Sequence, residues 1–459
     1  MENQTTENQQ NATTIKPRLA DSVLVKLALI GVITLLLLIP SVWIQNLISE
    51  RQLRQELVTG EISEKWSGSQ LIEGPIMVLP YKTSVIQKDS SGKSIVKEVI
   101  TNIYLMPEVL DIVSQANPEI LHRGIFDAAV YNTKINVKGR FGALELKKSG
   151  IDPLMVQWDK VKVVIGMSDL KGLKNNPAIQ IGNSSYPVEP DFSSLKLFSN
   201  NLIVLPELKN QNTVTDFSFE LNLRGSNELN FTHIAKNTTV KLNGNWNNPK
   251  FTGKYLPEQR AITNTTFSAI WKMPYFNRPF AQQWIAQNQE LHANTNLDAT
   301  FGVEFILPVD QYQKTMRSAK YAILIILMTF VSLFFTELLN KKKVHLLQYI
   351  LIGSAMIIYY ILLLSFSEQL GFNAAYLIAS VATVLLISVF IATLLKSRKP
   401  AILFGGILTV FYSFIYVLIQ LQDLALMFGG IGTFIIVAAL MYLSAKIDWD
   451  KKSIVQPQY

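Results

Sequence analysis

The sequence predicts an α+β membrane protein built from an N-terminal signal-anchor helix, a large, mainly-β extracytoplasmic domain and a C-terminal five-helix transmembrane bundle. Only 17% of the 459 residues are charged, whereas soluble globular chains average about 25%. One long apolar run lies near the N-terminus, and five more crowd into the last third of the chain. Between them, short β-rich runs separated by turn residues extend over about 275 residues without a spanning segment.

The first apolar run covers residues 27–44 and follows Lys26. Its length nearly matches a bilayer core of ~30 Å. No small-residue cleavage site follows it, and Trp43 suits the membrane interface, so we interpret it as an uncleaved signal anchor. The five other spans are predicted at residues 321–339, 346–364, 374–395, 401–419 and 424–443.

Among the short connections between these spans, basic residues occupy only alternate ones. They cluster before residue 27, at 341–343, at 396–399 and after residue 445, whereas the loops at 365–373 and 420–423 contain no Lys or Arg. The positive-inside rule therefore predicts six spans with both termini in the cytoplasm. The predicted parts are cytoplasmic tails at 1–26 and 448–459, transmembrane helix 1 at 27–44, a periplasmic domain at 45–318 and five transmembrane helices at 319–447. The net charge of +8 is thus explained by membrane orientation, and no nucleic-acid partner is expected.

Residues 44–66 are expected to continue helically from the membrane as a stalk, with Gly60 as a candidate stop, and the domain is expected to be mainly β beyond Trp66. Strands are predicted at residues 76–79, 99–105, 134–137, 161–165, 217–223, 238–242, 265–271 and 303–307. The run from Phe217 to Leu223 alternates apolar and polar residues, which is typical of a half-solvated antiparallel sheet. One helix is predicted near residues 280–289. The pattern indicates one or two packed sheets of unspecified topology.

The chemical inventory does not favour an enzyme. The chain has no Cys and four widely spaced His, so neither a disulfide nor a metal site is expected, and no cofactor is predicted. P-loop, G-x-S-x-G and H-E-x-x-H motifs are absent. Asp169 in Ser168-Asp169-Leu170-Lys171-Gly172 is a candidate catalytic carboxylate, but an Asp in this position more often closes a turn after a strand. Trp246 and Trp271 have the chemistry to stack on sugar or lipid, although large aromatic residues in a β domain usually belong to the core.

Ionisable residues near the ends of the spans are the other candidates. Glu337 and His345 fall at similar depth across an antiparallel helical hairpin and are predicted to pair, with Gln348 and Tyr349 on the same helical face. Lys320 and Glu368 bracket the other end of that hairpin. Such groups mark either a proton or substrate path or side chains that reach the headgroups and set helix register. We favour the second interpretation, because none of them lies in mid-membrane.

Ordered motifs over most of the chain resemble the CreD family of bacterial inner-membrane cell-envelope integrity proteins. They include Ile72-Glu73-Gly74-Pro75, Ser168-Asp169-Leu170-Lys171-Gly172, Trp246-Asn247-Asn248-Pro249-Lys250-Phe251-Thr252-Gly253, Arg317-Ser318-Ala319-Lys320-Tyr321, Glu337, His345-Leu346-Leu347-Gln348-Tyr349 and Ser367-Glu368. Where the family pattern has Tyr-Phe-Gly-Arg-Ser, this chain has Tyr275-Phe276-Asn277-Arg278-Pro279, and Pro279 removes an amide donor from that turn. The resemblance implies one N-terminal span, a periplasmic domain and a membrane bundle, with a role in envelope stress and in detergent or β-lactam tolerance. It implies no catalytic set.

Three functional hypotheses remain. The leading one is a non-enzymatic inner-membrane protein that supports envelope integrity by binding an envelope glycan or lipid, or another envelope protein, through its periplasmic domain. The alternative is a transporter or lipid-handling channel that uses the residues at the membrane edge. The least favoured is an enzyme that acts on a glycan or lipid through Asp169. All three place membrane lipids among the partners and leave the oligomeric state open.

Overall fold

The computed structural model describes residues 23–88, 94–192, 197–208, 213–278, 280–286, 298–307, 311–340, 344–421 and 424–445. The predicted tails up to residue 22 and from 448, the basic clusters at 341–343 and after 445, and Pro279 lie outside these ranges. The chain divides into two compact units. We call them the helical unit, which comprises Met1–Leu53 and Asp310–Tyr459, and the β unit, which comprises Arg54–Val309.

Helix α1 (Val23–Trp66) runs from the helical unit into the β unit. The predicted helical stalk over residues 44–66 is confirmed, and Gly60, the candidate stop within it, does not end the helix. A single glycine inside a helix costs only about 1 kcal/mol, and nothing lies within 4 Å of the position that a Cβ of Gly60 would occupy. The helix ends six residues later, where the Ser67 N–H donates to the Ser63 carbonyl at 2.8 Å.

The described C-terminal part contains one short polar helix followed by five longer apolar ones. They are α2 (Gln311–Lys320), α3 (Ala322–Asn340), α4 (Leu346–Leu370), α5 (Phe372–Leu395), α6 (Arg398–Gln420) and α7 (Ala425–Ala445). Within the described residues, α1 and the four helices α4 to α7 each have the length and composition of a membrane span. The span predicted at residues 321–339 differs in the structure. There, α2 and α3 meet at a bend of 42° and have the length and composition of a membrane span only when they are counted together.

Half of the apolar span of helix α4 is buried, a larger share than in α1, α5, α6 or α7. Its buried positions run from Tyr349 to Ser367, close to its full length. A Cβ at Gly353 would lie 2.3 Å from Leu37 Cδ1 of α1, so this glycine permits close helix packing. By contrast, α7 has none of its apolar span buried against the other described helices.

The β unit carries its described strands on two sheets. The strands are β1 (Gln70–Lys88), β2 (Ser94–Leu105), β3 (Pro107–Arg123), β4 (Phe126–Phe141), β5 (Lys162–Met167), β6 (Ala178–Ile181), β7 (Ser184–Pro187), β8 (Glu189–Pro190), β9 (Asn200–Val204), β10 (Thr215–Ser226), β11 (Glu228–Thr232), β12 (Asn237–Gly244), β13 (Pro249–Gly253), β14 (Gln259–Ile262), β15 (Phe267–Pro274), β16 (Gln283–Ile285) and β17 (Thr300–Phe305). Each of the eight predicted strands overlaps one of these. The helix predicted near 280–289 is wrong in its described part, where β16 pairs with β2.

Within the described residues, one sheet has the order β13-β17-β11-β1-β5-β9-β8, with β2 and β16 attached beside β1, and the other has the order β14-β15-β12-β3-β4-β10-β6-β7. Most pairs are antiparallel, as predicted, but β1 with β11 and β3 with β12 are parallel. Side chains of both sheets form one hydrophobic core. Trp271 of β15 and Phe301 of β17 meet there with ring centroids 5.4 Å apart, so aromatic contacts join the two sheets.

Candidate functional site

Helices α1, α3 and α4 are joined by a polar cluster of Lys26, Glu337 and Tyr349. The Lys26 ammonium forms an ion pair with the Glu337 carboxylate and donates to the Val344 carbonyl at 2.9 Å. The Tyr349 hydroxyl donates to Glu337 Oε2 at 3.3 Å. The side chains of Lys26 and Glu337 are 22% and 11% exposed. Glu337 is therefore already neutralised by a cation from another helix.

The predicted pair of Glu337 with His345 is not present among the described residues. His345 is exposed and precedes the first turn of α4. Gln348 Oε1 accepts from the His345 N–H at 2.8 Å, so Gln348 caps the start of the helix. The partner of Glu337 differs from the prediction because Lys26, which lies just before an apolar run, reaches this carboxylate at the same membrane edge. In the sequence, Lys26 indicates only the orientation of the span.

A second polar cluster joins α1, α2 and α4 at the other end of α4. The Tyr312 hydroxyl donates to Glu368 Oε1 at 3.0 Å, and Arg51 Nε lies 4.0 Å from the same oxygen. Lys320 is exposed and forms no ion pair with Glu368 in the described structure. Arg51 follows Lys26 by 25 residues, or about 38 Å of helix, close to the ~40–45 Å of a bilayer with its headgroups. Helix α1 is thus linked to α4 and its neighbours at both ends of its membrane segment.

In the β unit, Asp169 stabilises a turn. Its Oδ1 accepts from the Lys171 N–H at 3.0 Å, which caps the short 3-10 helix Leu170–Gly172. Its Oδ2 accepts from the Gly68 N–H at 3.0 Å and from the Ser67 hydroxyl at 3.1 Å. Partial burial acts to raise the pKa of Asp169, but these hydrogen bonds outweigh it and the pKa is lowered. The interpretation of Asp169 as a turn residue is confirmed, and its contacts give a catalytic role no support.

Replacing Asp169 with Ala should lower the free energy of unfolding of the β unit by about 1–2 kcal/mol, because a helix cap and the hydrogen bonds to residues 67–68 are lost. Urea unfolding followed by tryptophan fluorescence measures this. Asp159→Ala is the matched control, because Asp159 lies exposed in another 3-10 turn, Trp158–Lys160. Equal stability of the two variants would contradict the structural role. Asp169→Asn with unchanged stability and no envelope tolerance would revive the catalytic one.

The motif from Trp246 to Gly253 belongs to the core and to a sheet edge. Trp246 is buried and its indole N–H donates to the Ile306 carbonyl at 3.1 Å. The half-buried Phe251 lies with its ring centroid 5.8 Å from that of Trp271. Pro249 begins β13, and Gly253 ends it at φ +86°, where a Cβ would lie 2.1 Å from the Thr300 carbonyl oxygen. These contacts confirm that Trp246 and Trp271 are core residues.

Arg278 is buried and directly precedes Pro279, at which the sequence departs from the CreD family pattern. It donates to the carbonyls of Ile234 at 2.6 Å and Phe280 at 3.0 Å and lies over the Tyr275 ring at 4.9 Å. Burial lowers the pKa of its guanidinium. No carboxylate forms an ion pair with it in the described part of the chain. Its contacts connect the segment after β15 with the one after β11.

Two buried titratable groups of the β unit, Glu73 and His233, are not among the candidates that the sequence indicates. Glu73 of β1 is buried, and loss of hydration raises its pKa to about 7. His233 is buried between Thr238 Oγ1 at 2.9 Å and the Pro274 carbonyl at 3.2 Å, and burial, with the charge of Arg278, lowers its pKa to about 4. A carboxylate inside the apolar run of β1 was the available signal for Glu73. In the described residues, no group of three or more His, Asp or Glu has the geometry to hold a metal ion.

The apolar helices and the large β unit between the first span and the others define a multi-span membrane protein with one large β insertion. The chain matches the family described as "Inner membrane protein CreD" over residues 22–450. It therefore belongs to the CreD family of inner-membrane proteins. It is 28% identical over 418 residues to the Inner membrane protein CreD of Escherichia coli (strain K12), which covers 90% of this chain and 91% of that protein.

Proposed function

We propose that this protein supports the integrity of the bacterial cell envelope and its tolerance of detergents and β-lactams by binding another envelope protein through the β unit. Both termini lie in the cytoplasm in this proposal, and the β unit lies in the periplasm. The alternating basic loops support that orientation. The helical unit serves as the anchor, which agrees with the paired state of Glu337 and Glu368.

The observation that carries the proposal is an exposed hairpin of β1 and β2. We call residues 82–88 and 94–101 the hairpin arm. Ile86 and Val96 lie directly opposite each other on it and are 72% and 70% exposed. The exposed Ile100 lies on the same face as this pair, whereas Val85 and Ile95 are exposed on the opposite face. Single exposed apolar residues are ordinary, but a contiguous apolar set commonly marks an interaction surface.

The backbone of the hairpin arm is also available for pairing. Strand β1 pairs with β5 only up to Val78, followed by contacts of Pro80 and Tyr81. Strand β2 pairs with β16 only from Ile103, and the Asn102 carbonyl is the next acceptor. Beyond these points, neither outer edge has a strand partner among the described residues. Free edges that carry exposed apolar side chains fit an extended partner segment that adds a strand.

Introducing a charge on the hairpin arm should abolish this function without unfolding the β unit. Ile86→Asp and Val96→Asp change exposed side chains, so thermal unfolding should shift little. Envelope tolerance should be lost, measured as growth in detergent or in a β-lactam. A photo-crosslinker at Ile100 should trap one partner in the native chain and lose it in both variants.

The matched control is Ile262→Asp, which places the same charge on β14, an edge strand of the other sheet. Full tolerance of the Ile86 and Val96 variants at normal expression would refute the proposal. A crosslink to lipid or glycan with no protein would identify a different ligand on the arm and also refute it.

Lipid handling is a second candidate function. The observation that favours it is a groove between α5 and α6. Its lining is largely apolar, unlike the two polar clusters at the membrane edges. Under this alternative, Glu337, His345 and Glu368 act as relay or gate residues, and Glu337 and His345 are needed for tolerance even when the helical unit is stable.

A further inference from the structure

Helices α5 and α6 leave a groove of about 760 Å³ between them. Its lining is largely apolar and contains Leu377, Val381, Leu385 and Val417, all of which are exposed. From Asn373 to Leu385 the groove follows α5 over about 18 Å, at a rise of ~1.5 Å per residue. This length is close to half of a ~30 Å hydrocarbon core. The groove therefore extends along the helices over about the thickness of one membrane leaflet, and its exposed apolar lining faces the lipid.

The shape limits what fits inside. A volume of about 760 Å³ over that length is enough for an extended hydrocarbon chain. Ligand pockets of this size, about 300–1,000 Å³, commonly combine an apolar lining with a few polar groups.

Hydroxyl groups are the few polar features of the lining. The Tyr376 hydroxyl donates to the Tyr412 carbonyl at 2.8 Å, and the Ser380 hydroxyl donates to the Tyr376 carbonyl. The buried Tyr412 hydroxyl has no hydrogen-bond partner within the described structure. Its ring centroid lies 4.9 Å from that of Tyr359 of α4, so this hydroxyl belongs to the packed interior of the helical unit rather than to the open part of the groove.

The mouth of the groove connects to a cation. Asn373 lines the groove, and its Oδ1 accepts from Gln420 Nε2 at 2.8 Å. Gln420 Oε1 in turn accepts from the Lys314 ammonium at 3.1 Å. Lys314 lies 5.8 Å from the Phe372 ring centroid and forms no ion pair in the described chain. A half-buried cation without a carboxylate therefore lies two hydrogen bonds from the groove.

We propose that this groove binds one anionic phospholipid of the surrounding bilayer, with an acyl chain between α5 and α6 and the phosphate beside Lys314. Charge complementarity at the mouth and the leaflet-deep apolar channel both point to this ligand. The ester region of the lipid lies between the two, at the level of Asn373. The site belongs to the helical unit alone and does not depend on the function proposed for the β unit.

The full chain in nanodiscs of phosphatidylcholine with 10% phosphatidylglycerol tests the proposal. The probe is phosphatidylglycerol with a photoactivatable group in one acyl chain, and crosslinked peptides are mapped by mass spectrometry. Crosslinks should fall on the groove-lining parts of α5 and α6. Lys314→Gln should weaken phosphatidylglycerol binding about tenfold, because a charge-assisted contact to phosphate is lost. Ser413→Trp should reduce groove crosslinks to a similar extent by filling the channel.

Two matched controls separate this site from general attraction to the membrane. Lys320→Gln removes an exposed cation from the same short helix α2, and Val389→Trp places the same bulk on a lipid-facing position of α5 outside the groove. Both should stay within twofold of the native chain. Equal losses in Lys320→Gln and Lys314→Gln would overturn the proposal, as would unchanged crosslinks in Ser413→Trp. Displacement of phosphatidylglycerol by a substoichiometric polyprenyl phosphate would also overturn it, because the groove would then select another lipid.

Discussion

Glu337→Ala should lower the free energy of unfolding of the helical unit by about 2–3 kcal/mol, because it leaves the Lys26 ammonium without its carboxylate at the membrane edge. Removing one partner of a fully buried ion pair costs about 3–5 kcal/mol. The smaller value is expected here because Lys26 is 22% exposed and can extend towards the headgroups. Thermal unfolding of the full chain in nanodiscs measures the loss, and less folded protein should survive detergent extraction.

The double variant Lys26→Met/Glu337→Met should regain most of this stability, because both charges are removed together. Arg51→Gln is the control at the other membrane edge, where the charged atoms lie 4.0 Å apart and the Arg51 side chain is 43% exposed, so its effect should stay below about 1 kcal/mol. A double variant as unstable as Glu337→Ala would contradict the account of the ion pair as an anchor. A stable double variant without envelope tolerance would instead favour the lipid-handling alternative.

Glu73→Gln should make the β unit lose about 3 kcal/mol of stability as the pH falls from about 6.5 to 4, whereas the native chain should change little over that range. The buried His233 has its pKa lowered to about 4, so its contribution is fully present above the unfolded pKa of ~6.5 and is lost as the pH falls. The buried Glu73 has its pKa raised to about 7. Its contribution is present at low pH and is lost as the pH rises above ~4.5. In the native chain these two opposite dependences nearly cancel.

Urea unfolding at several pH values, followed by tryptophan fluorescence, measures the dependence. The reciprocal variant, His233→Gln, should lose about 3 kcal/mol in the other direction, as the pH rises from about 4.5 to 7. The double variant should again be nearly flat. Glu220→Gln serves as a control because Glu220 lies on an exposed face and pairs with Lys134. Parallel profiles for Glu73→Gln and the native chain would show that Glu73 is not the titrating group.

Much of the architecture was predictable because it depends on local patterns. A membrane span is an unbroken apolar run, so residues 27–44 and the C-terminal spans were recognisable without any partner. The bend between α2 and α3 was not, because Tyr312 and Thr315 are buried through tertiary packing of a polar helix. Strand β10 alternates regularly and was predicted. Strand β3 was missed, because Pro118 and several charged residues obscure its alternation, and it is stabilised by pairing with β4 and β12.

The candidate sites divide in the same way. The turn role of Asp169 and the core positions of Trp246 and Trp271 followed from residue type. The partners of Glu337 and Glu368 did not, because Lys26 and Arg51 come from a helix about 300 residues away in sequence. The burial of Glu73 and His233 also depends on what the two sheets place around them.

By itself the sequence determined that this chain is a membrane protein, which segments are apolar enough to span, and that strands fill the long central region. These properties belong to continuous stretches, whose hydrophobicity and period act locally. Tertiary structure alone decided which charges pair, which carboxyl and imidazole groups lose their hydration, and where a groove with a basic mouth forms. Those properties depend on distances between residues far apart in the chain, and only packing brings such residues together.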